Sequence, residues 1–264
     1  AVSLAAGGQV RLHFESVEGD QENLSFYPGG IAREFGLGDL IDIDFHGVQL
    51  RVTEKTETFS MAVVETPGKI GENKAVTVNR PISLPAMTDK DKQAIEIGRC
   101  LGIRSFALSF ANTPGDVDIF RSYIGADSTL ITKIESIQGI RNLDEITERA
   151  DAVLIDRGDL SREVPIEQIP FLQRRIVSSV KARHTPVYVA TNLLESMVEW
   201  HQPTRAEVND VVSTLEMGAT GLVLAAETAI GGYPIAAVET IRRLIEHFER
   251  WTPNTSFEEL LPAD

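Results

Sequence analysis

Residues 9–79 and residues 81–250 of this 264-residue chain carry different patterns of apolar and polar positions. In the first stretch, short alternating runs are separated by Gly and Pro clusters, which is typical of half-exposed β-strands. The predicted strands are Gln9–Phe14, Asn23–Tyr27, Leu40–Phe45, Val48–Thr53, Ser60–Glu65 and Lys74–Asn79. Regularly spaced short strands favour a small all-β barrel domain, which we assign to residues 1–80.

In residues 81–250, almost wholly apolar strands alternate with amphipathic helices, which predicts a parallel sheet covered by helices. The predicted strands are Ser105–Phe110, Leu130–Ile134, Ala152–Ile155, Val187–Ala190 and Leu222–Ala225. The predicted helices follow Thr88 and Asn142 and cover Asp116–Ile124, Ile166–Lys181, Thr204–Gly218 and Pro234–Arg250. Five strands are fewer than a closed (β/α)8 barrel needs, and a doubly wound sheet fits that count better. Residues 251–264 are interpreted as a tail.

Two helix starts in this second part carry the pattern of a capping box. Thr204 with Glu207 gives the better match, and Asn142 with Glu145 imitates it. In such a box the side chain of the capping residue accepts a hydrogen bond from the backbone N–H of the third helical residue. The carboxylate of that third residue accepts one from the backbone N–H of the capping residue.

Composition narrows the class of protein. The formal net charge is −14 and no Lys/Arg-rich run is present, which argues against a nucleic-acid partner. No apolar run approaches the roughly 18 residues of a membrane span, so no membrane partner is expected. The single cysteine, Cys100, is expected to be a buried small hydrophobe. One cysteine allows no internal disulfide, which fits a reducing, cytoplasmic location.

Charged or polar residues follow the apolar strands at their carboxyl ends: Lys133 and Glu135, Asp159, Thr191 and Glu227. In either candidate architecture these ends meet at one edge of the sheet. Lys133 and Glu135 are two residues apart, so they share one face of their strand. A cation and carboxylates at one edge suit a hard divalent metal and an anionic substrate.

Each of these patterns has a plain structural alternative. Lys133 and Glu135 fit a surface ion pair equally well. In the stretch from Arg157 to Asp159, Gly158 lets backbone N–H groups approach an anion, but a simple turn has the same sequence. Glu227 either joins the site or caps a helix.

The segments ITKIES, ADAVLIDRGDLSREVP, VYVATNLLESM, PTRAEVNDV and GLVLAAETAIGGYP together resemble the pyruvate kinase family. The resemblance covers roughly residues 81–245, and five strand-end motifs occur in the family's order. It implies the later part of a TIM-type (β/α) barrel. Residues 1–80 resemble, more weakly, the family's small lid domain.

The resemblance implies roles for the strand-end residues. Glu135 and Asp159 would be the ligands of Mg²⁺ or Mn²⁺, and Lys133 would stabilise the transferring phosphoryl group. Thr191 would line the pocket beside the reacting enolate carbon.

It also implies contacts with the substrates. Gly158 and Asp159 would offer backbone N–H groups to the substrate carboxylate, and Arg157 and Glu227 are further candidates for binding it. Lys74, in the first domain, would approach the nucleotide phosphates.

Several features depart from the family. Its first three barrel strands, which carry the K⁺ site, and its C-terminal domain have no counterpart in this sequence. The family's Ala before Arg-Gly-Asp is Asp156 here, and its Gln after the pocket threonine is Asn192. Its Ser-Gly-Glu-Thr becomes Ala225-Ala226-Glu227-Thr228, and a lysine becomes Ile230. We expect either a piece of a longer chain or a short protein that completes its sheet with a partner, such as a second copy.

Three functions follow from the resemblance and its departures. The first is glycolytic phosphoryl transfer between phosphoenolpyruvate and a nucleoside diphosphate, with ADP and ATP as candidate nucleotides. The second is metal-dependent enolate chemistry on a 2-oxo acid, as in an aldolase or decarboxylase. The third is a non-catalytic binding or regulatory domain.

Overall fold

The computed structural model describes residues 1–44, 47–72, 74–80, 82 and 84–261. These residues form two compact units, Ala1–Thr88 and Asp89–Asp264. None of the described helices has the length and apolar character that a membrane span requires.

The first unit is all-β and curls around one apolar core. Its strands are β1 (Val2–Leu4), β2 (Gln9–His13), β3 (Asn23–Ser25), β4 (Leu40–Ile43), β5 (Val48–Lys55), β6 (Phe59–Thr66), β7 (Gly68–Ile70) and β8 (Val76–Val78). Six of them form a sheet in the order β3-β2-β6-β5-β4-β8, and β1 pairs with β7. Alternate residues such as Leu50, Val52, Ala62 and Val64 are buried, because successive side chains of a strand point to opposite faces. All six predicted strands are present with shifted ends; Phe45, predicted in β4, lies outside the described residues.

The second unit alternates strands and helices. Its strands are β9 (Ser105–Leu108), β10 (Thr129–Ile134), β11 (Ala152–Asp156), β12 (Val187–Ala190) and β13 (Gly221–Val223). Its helices are α1 (Asp89–Cys100), α2 (Pro114–Ile124), α3 (Ile137–Arg141), α4 (Leu143–Thr147), α5 (Arg157–Leu160), α6 (Ile169–Lys181), α7 (Arg205–Glu216), α8 (Ala226–Ala229), α9 (Pro234–Arg250) and α10 (Phe257–Leu260).

The five strands of the second unit are all parallel and lie side by side in chain order, from β9 to β13. A doubly wound sheet reverses its strand order at a switch point, whereas a TIM-type barrel adds each strand beside the previous one. The order therefore confirms the partial (β/α) barrel.

One face of this sheet is covered by helices, and the opposite face is less buried. On β10, Leu130, Thr132 and Ile134 are fully buried, while Ile131 and Lys133 on the opposite face are only half-buried. Helices α2, α4 and α6 contact β9, β10 and the β11–β12 pair, respectively. The functional candidates from β10 belong to the less covered face.

Two local expectations were wrong and one is confirmed. Cys100 ends α1 and is exposed, because that helix buries Ile95 and Gly98 instead. Asn142 makes no side-chain cap, because its φ of −101° and ψ of 12° differ from the extended backbone of a capping residue; its amide donates to a backbone carbonyl after β9. Thr204 and Glu207 form the complete capping box at the start of α7.

Candidate active site at the carboxyl edge of the parallel sheet

The register of three neighbouring strands brings the site residues together. Ile134 of β10 is paired with Ile155 of β11, so Glu135 and Asp156, the next residues, are level with each other. Asp156 is in turn paired with Ala190 at the end of β12. Since these strands are parallel, their carboxyl ends form one continuous edge.

Lys133 lies between two buried carboxylates on this edge. Its Nζ is 2.6 Å from Glu135 Oε1 and 3.3 Å from Asp156 Oδ2. The Glu135 side chain is 1% exposed and that of Lys133 is 22% exposed, so the contacts form largely away from water. Buried charges of this kind require partners, and the lysine supplies only one positive charge for two carboxylates.

Asp159 completes an acidic cluster with these two carboxylates. One oxygen from each of Glu135, Asp156 and Asp159 lies within 4.8 Å of the others. Asp159 also pairs with Arg162 at 3.0 Å. Within the described part of the chain, Asp156 Oδ1 is buried without a hydrogen-bond partner, and Lys133 is the one partner of the buried Glu135 Oε1. Buried polar atoms normally have such a partner, so the cluster has unused ligand capacity.

The electrostatics of the cluster keep the lysine charged. Burial lowers the pKa of Lys133, but the hydrogen bond and charge of Glu135, together with Asp156, outweigh burial and raise that pKa above the ordinary lysine value. Burial raises the pKa of Glu135, and the charge of Asp159 adds to the rise, while hydrogen bonds from Lys133 and Phe110 oppose it. A further positive charge at this edge would therefore stabilise the ionised carboxylates.

Unusual backbone conformations follow two of the strands. Phe110, just after β9, has a φ of 50°, and its N–H donates to Glu135 Oε2 at 2.5 Å. Thr191 and Asn192, directly after β12, have φ values of 70° and 53°. Non-glycine residues with positive φ are strained, above all the β-branched threonine, and such strain concentrates at functional sites.

Thr191 and Gly158 contact each other directly. The Gly158 N–H donates to Thr191 Oγ1 at 2.8 Å, and that hydroxyl donates to the Ala190 carbonyl at 2.6 Å. A Cβ at Gly158 would lie 3.5 Å from Thr191 and from Asp156 Oδ1. The structure therefore places the threonine and glycine candidates beside the acidic cluster.

The guanidinium of Arg157 contacts backbone carbonyls and a carboxylate of the protein itself. It donates to the carbonyls of Ala190 and Thr191, and its Nη1 lies 2.7 Å from Asp210 Oδ2. Its side chain is only 11% exposed. These contacts tie the strained end of β12 to α7, which makes Arg157 a residue that positions Thr191; its contact with a substrate stays a prediction.

The carboxylate of Glu227 likewise accepts hydrogen bonds from backbone groups. It is buried, and its two carboxylate oxygens accept from the N–H groups of Leu194 at 3.0 Å and Ala225 at 2.8 Å. It thus joins the loop after β12 to the end of β13. Its role in binding a substrate also stays a prediction.

Lys74 belongs to the first unit. Its Nζ pairs with Asp44 Oδ2 at 2.8 Å, next to the end of β4. The nucleotide contact expected of Lys74 stays a prediction.

Asp156 is the residue of the cluster that the sequence interpretation left out of the metal site. It stands where the family that the sequence resembles has alanine, so the resemblance implies no ligand role for it. The available signal was strand parity: Asp156 is two residues after Leu154, which is paired with Lys133, so it lies on the same face as Lys133 and Glu135.

The cluster fits a hard divalent cation. Carboxylate oxygens are the ligands that Mg²⁺ and Mn²⁺ prefer, and the cluster offers three from separate side chains. Its buried Asp156 Oδ1, which has no hydrogen-bond partner among the described residues, is the direct structural sign of that capacity. Glu135 and Asp159, predicted as the ligands, are both members.

Comparisons with known proteins all give matches to one family. The family described as "Pyruvate kinase, barrel domain" matches residues 1–238. A pyruvate kinase of Thermotoga maritima is 34% identical over 253 residues, covering 94% of this chain and 54% of that protein. One of Methylorubrum extorquens is 39% identical over 209 residues, covering 79% and 44%, respectively. Plastidial pyruvate kinase 3 of Arabidopsis thaliana is 35% identical over 221 residues, covering 82% and 39%. The chain spans about half the length of the curated relatives it matches.

Proposed function

The chain belongs to the pyruvate kinase family, and we propose that the carboxyl edge of its parallel sheet binds Mg²⁺ or Mn²⁺ with phosphoenolpyruvate or pyruvate. The observation that carries the proposal is Lys133 Nζ lying 2.6 Å from Glu135 in a cluster with Asp156 and Asp159. The reaction proposed is phosphoryl transfer between phosphoenolpyruvate and a nucleoside diphosphate.

The residues of the edge would have different roles in such a reaction. Glu135 and Asp159 would hold the cation, which when bound neutralises charge on the substrate oxygens. Lys133 keeps its positive charge at neutral pH and presents it at the same edge, where a phosphoryl group develops negative charge. Phosphoryl transfer depends mainly on such positioning and neutralisation, so few protein groups are needed.

Thr191 and Gly158 provide a rigid wall for the organic part of the substrate. The Thr191 hydroxyl is fixed by a donor and an acceptor, so its rotamer is set before a ligand arrives. We assign the pocket beside the reacting carbon to Thr191, and the nucleotide phosphates to Lys74. Arg157 and Glu227 act through the loops that they hold, with direct substrate contact as a further proposal.

The test is pyruvate formation from phosphoenolpyruvate and ADP with Mg²⁺, comparing the parent with Glu135→Gln. Because even the outer-shell partners of metal ligands are worth about 10–100-fold, losing this carboxylate should lower turnover by at least about tenfold. Glu246→Gln is the control, since Glu246 lies on α9, where its 45% exposed side chain pairs with Arg242. Equal turnover of Glu135→Gln and the parent would show that the assignment is wrong.

A second function is favoured by one contact. Asp156 Oδ2 lies 3.3 Å from Lys133 Nζ, so two carboxylates already share the ammonium that phosphoryl transfer would use. Enolate chemistry on a 2-oxo acid needs the cation but no phosphoryl contact. Decarboxylation of oxaloacetate without nucleotide, with no pyruvate formed from phosphoenolpyruvate and ADP, would identify this reaction; turnover in neither assay would leave a binding domain.

A further inference from the structure

We propose that Asp156 is a third protein carboxylate of the cation site, beside Glu135 and Asp159, and that it raises the affinity of the free protein for a divalent cation. The inference rests on the proposed function, because it concerns the same edge of the sheet. It adds a ligand to that site and a measurable gain in cation affinity.

The placement of Asp156 supports a ligand role. Asp156 ends β11 and is 8% exposed, so its carboxylate is largely removed from water. Its Oδ2 contacts Lys133, but its Oδ1 is buried without a hydrogen-bond partner among the described residues. A buried carboxylate oxygen with no donor is costly, and a cation within reach of Glu135 and Asp159 would remove that cost.

The charges of the cluster give the expected consequence. Lys133 contributes one positive charge and the three carboxylates contribute three negative charges, so the group carries −2, which a divalent cation neutralises. Without Asp156 the group would carry −1, and a bound cation would leave a surplus positive charge that an anionic substrate has to balance. Arg162 offsets part of the Asp159 charge in both cases.

The expected difference in cation affinity follows from these charges. Cation affinity of oxygen-ligand sites rises with the number of charged ligands. With three carboxylates, we expect the free protein to bind Mn²⁺ without help from a substrate. With two, the free protein should bind Mn²⁺ more weakly, because one negative charge is missing.

The experiment is a titration of the protein with Mn²⁺ alone, with free Mn²⁺ measured by electron paramagnetic resonance. We expect Asp156→Asn, which keeps the shape of the side chain, to weaken Mn²⁺ binding by about tenfold or more. Asp156→Ala is the second variant, because it also frees Lys133 from one contact. The control is Asp118→Asn, because the Asp118 side chain is 64% exposed and pairs with Arg149. The Mn²⁺ affinity of this variant should stay within about twofold of the parent.

Parent-like Mn²⁺ affinity in both Asp156 variants would overturn the inference. The same titration with oxalate present separates it from the proposed function. If the parent binds Mn²⁺ only with oxalate, the inference fails and the proposed function stands. If the parent binds Mn²⁺ under neither condition, both fail.

Discussion

Replacing Arg157 by Met should destabilise the second unit by about 2–4 kcal/mol. Methionine keeps most of the apolar stem but removes every donor. The Thr191 carbonyl loses a charged hydrogen bond of 2.5 Å, worth about 1.5–3 kcal/mol. Asp210 loses its partner as well, but its side chain is 38% exposed, so water replaces the arginine at a cost of about 0.2–1 kcal/mol.

Urea denaturation followed by tryptophan fluorescence measures this loss in the second unit, because both tryptophans, Trp200 and Trp251, belong to it. Asp210→Asn is the matched control: it removes the ion pair but leaves the carbonyl contacts of Arg157, so its loss should be below about 1 kcal/mol. A stability of Arg157→Met within about 0.5 kcal/mol of the parent would show that the Arg157 contacts do not stabilise the second unit. Equal losses of stability in the two variants would show that the carbonyl contacts of Arg157 add little beyond its ion pair with Asp210.

Two further substitutions test contacts around the edge of the sheet. Glu227→Gln should cost about 1–3 kcal/mol, because its amide would turn a donor toward one of the two backbone N–H groups that the carboxylate accepts; parent-like urea stability would contradict this. For Glu207, burial acts to raise the carboxyl pKa, but hydrogen bonds from Ser196 and Thr204 outweigh it and leave the pKa below 4.5. Its stabilisation is therefore present above about pH 4.5 and lost as pH falls through the lower folded-state pKa. Thermal melts should show Glu207→Gln less stable than the parent by about 1 kcal/mol at pH 7, with the gap closing in acid; a gap that does not depend on pH would rule this out.

Much of the architecture could be predicted because local pattern determines it. Apolar strands alternating with amphipathic helices indicated the parallel sheet, and residue parity placed Lys133 and Glu135 on one face. The choice between a doubly wound sheet and a partial barrel could not be made from the strands themselves. It depends on which strands are neighbours, and that is a property of the whole sheet.

The site was harder to predict where distant segments compete for a side chain. Arg157 donates to carbonyls 33 and 34 residues later, and no local pattern indicates these contacts. Glu227 is held by the N–H of Leu194, 33 residues earlier. The strain at Thr191 leaves no trace in a residue pattern, since positive φ there would normally call for glycine.

The proposed function requires that Glu135 and Asp159 share one cation at the carboxyl edge of the parallel sheet. The direct test is anomalous diffraction from crystals grown with Mn²⁺ and oxalate. We predict one strong manganese peak at coordination distance from both carboxylates, with Lys133 beside the oxalate. No peak between these side chains, with Glu135 still paired to Lys133, or a manganese ion bound elsewhere in the chain, would contradict the account.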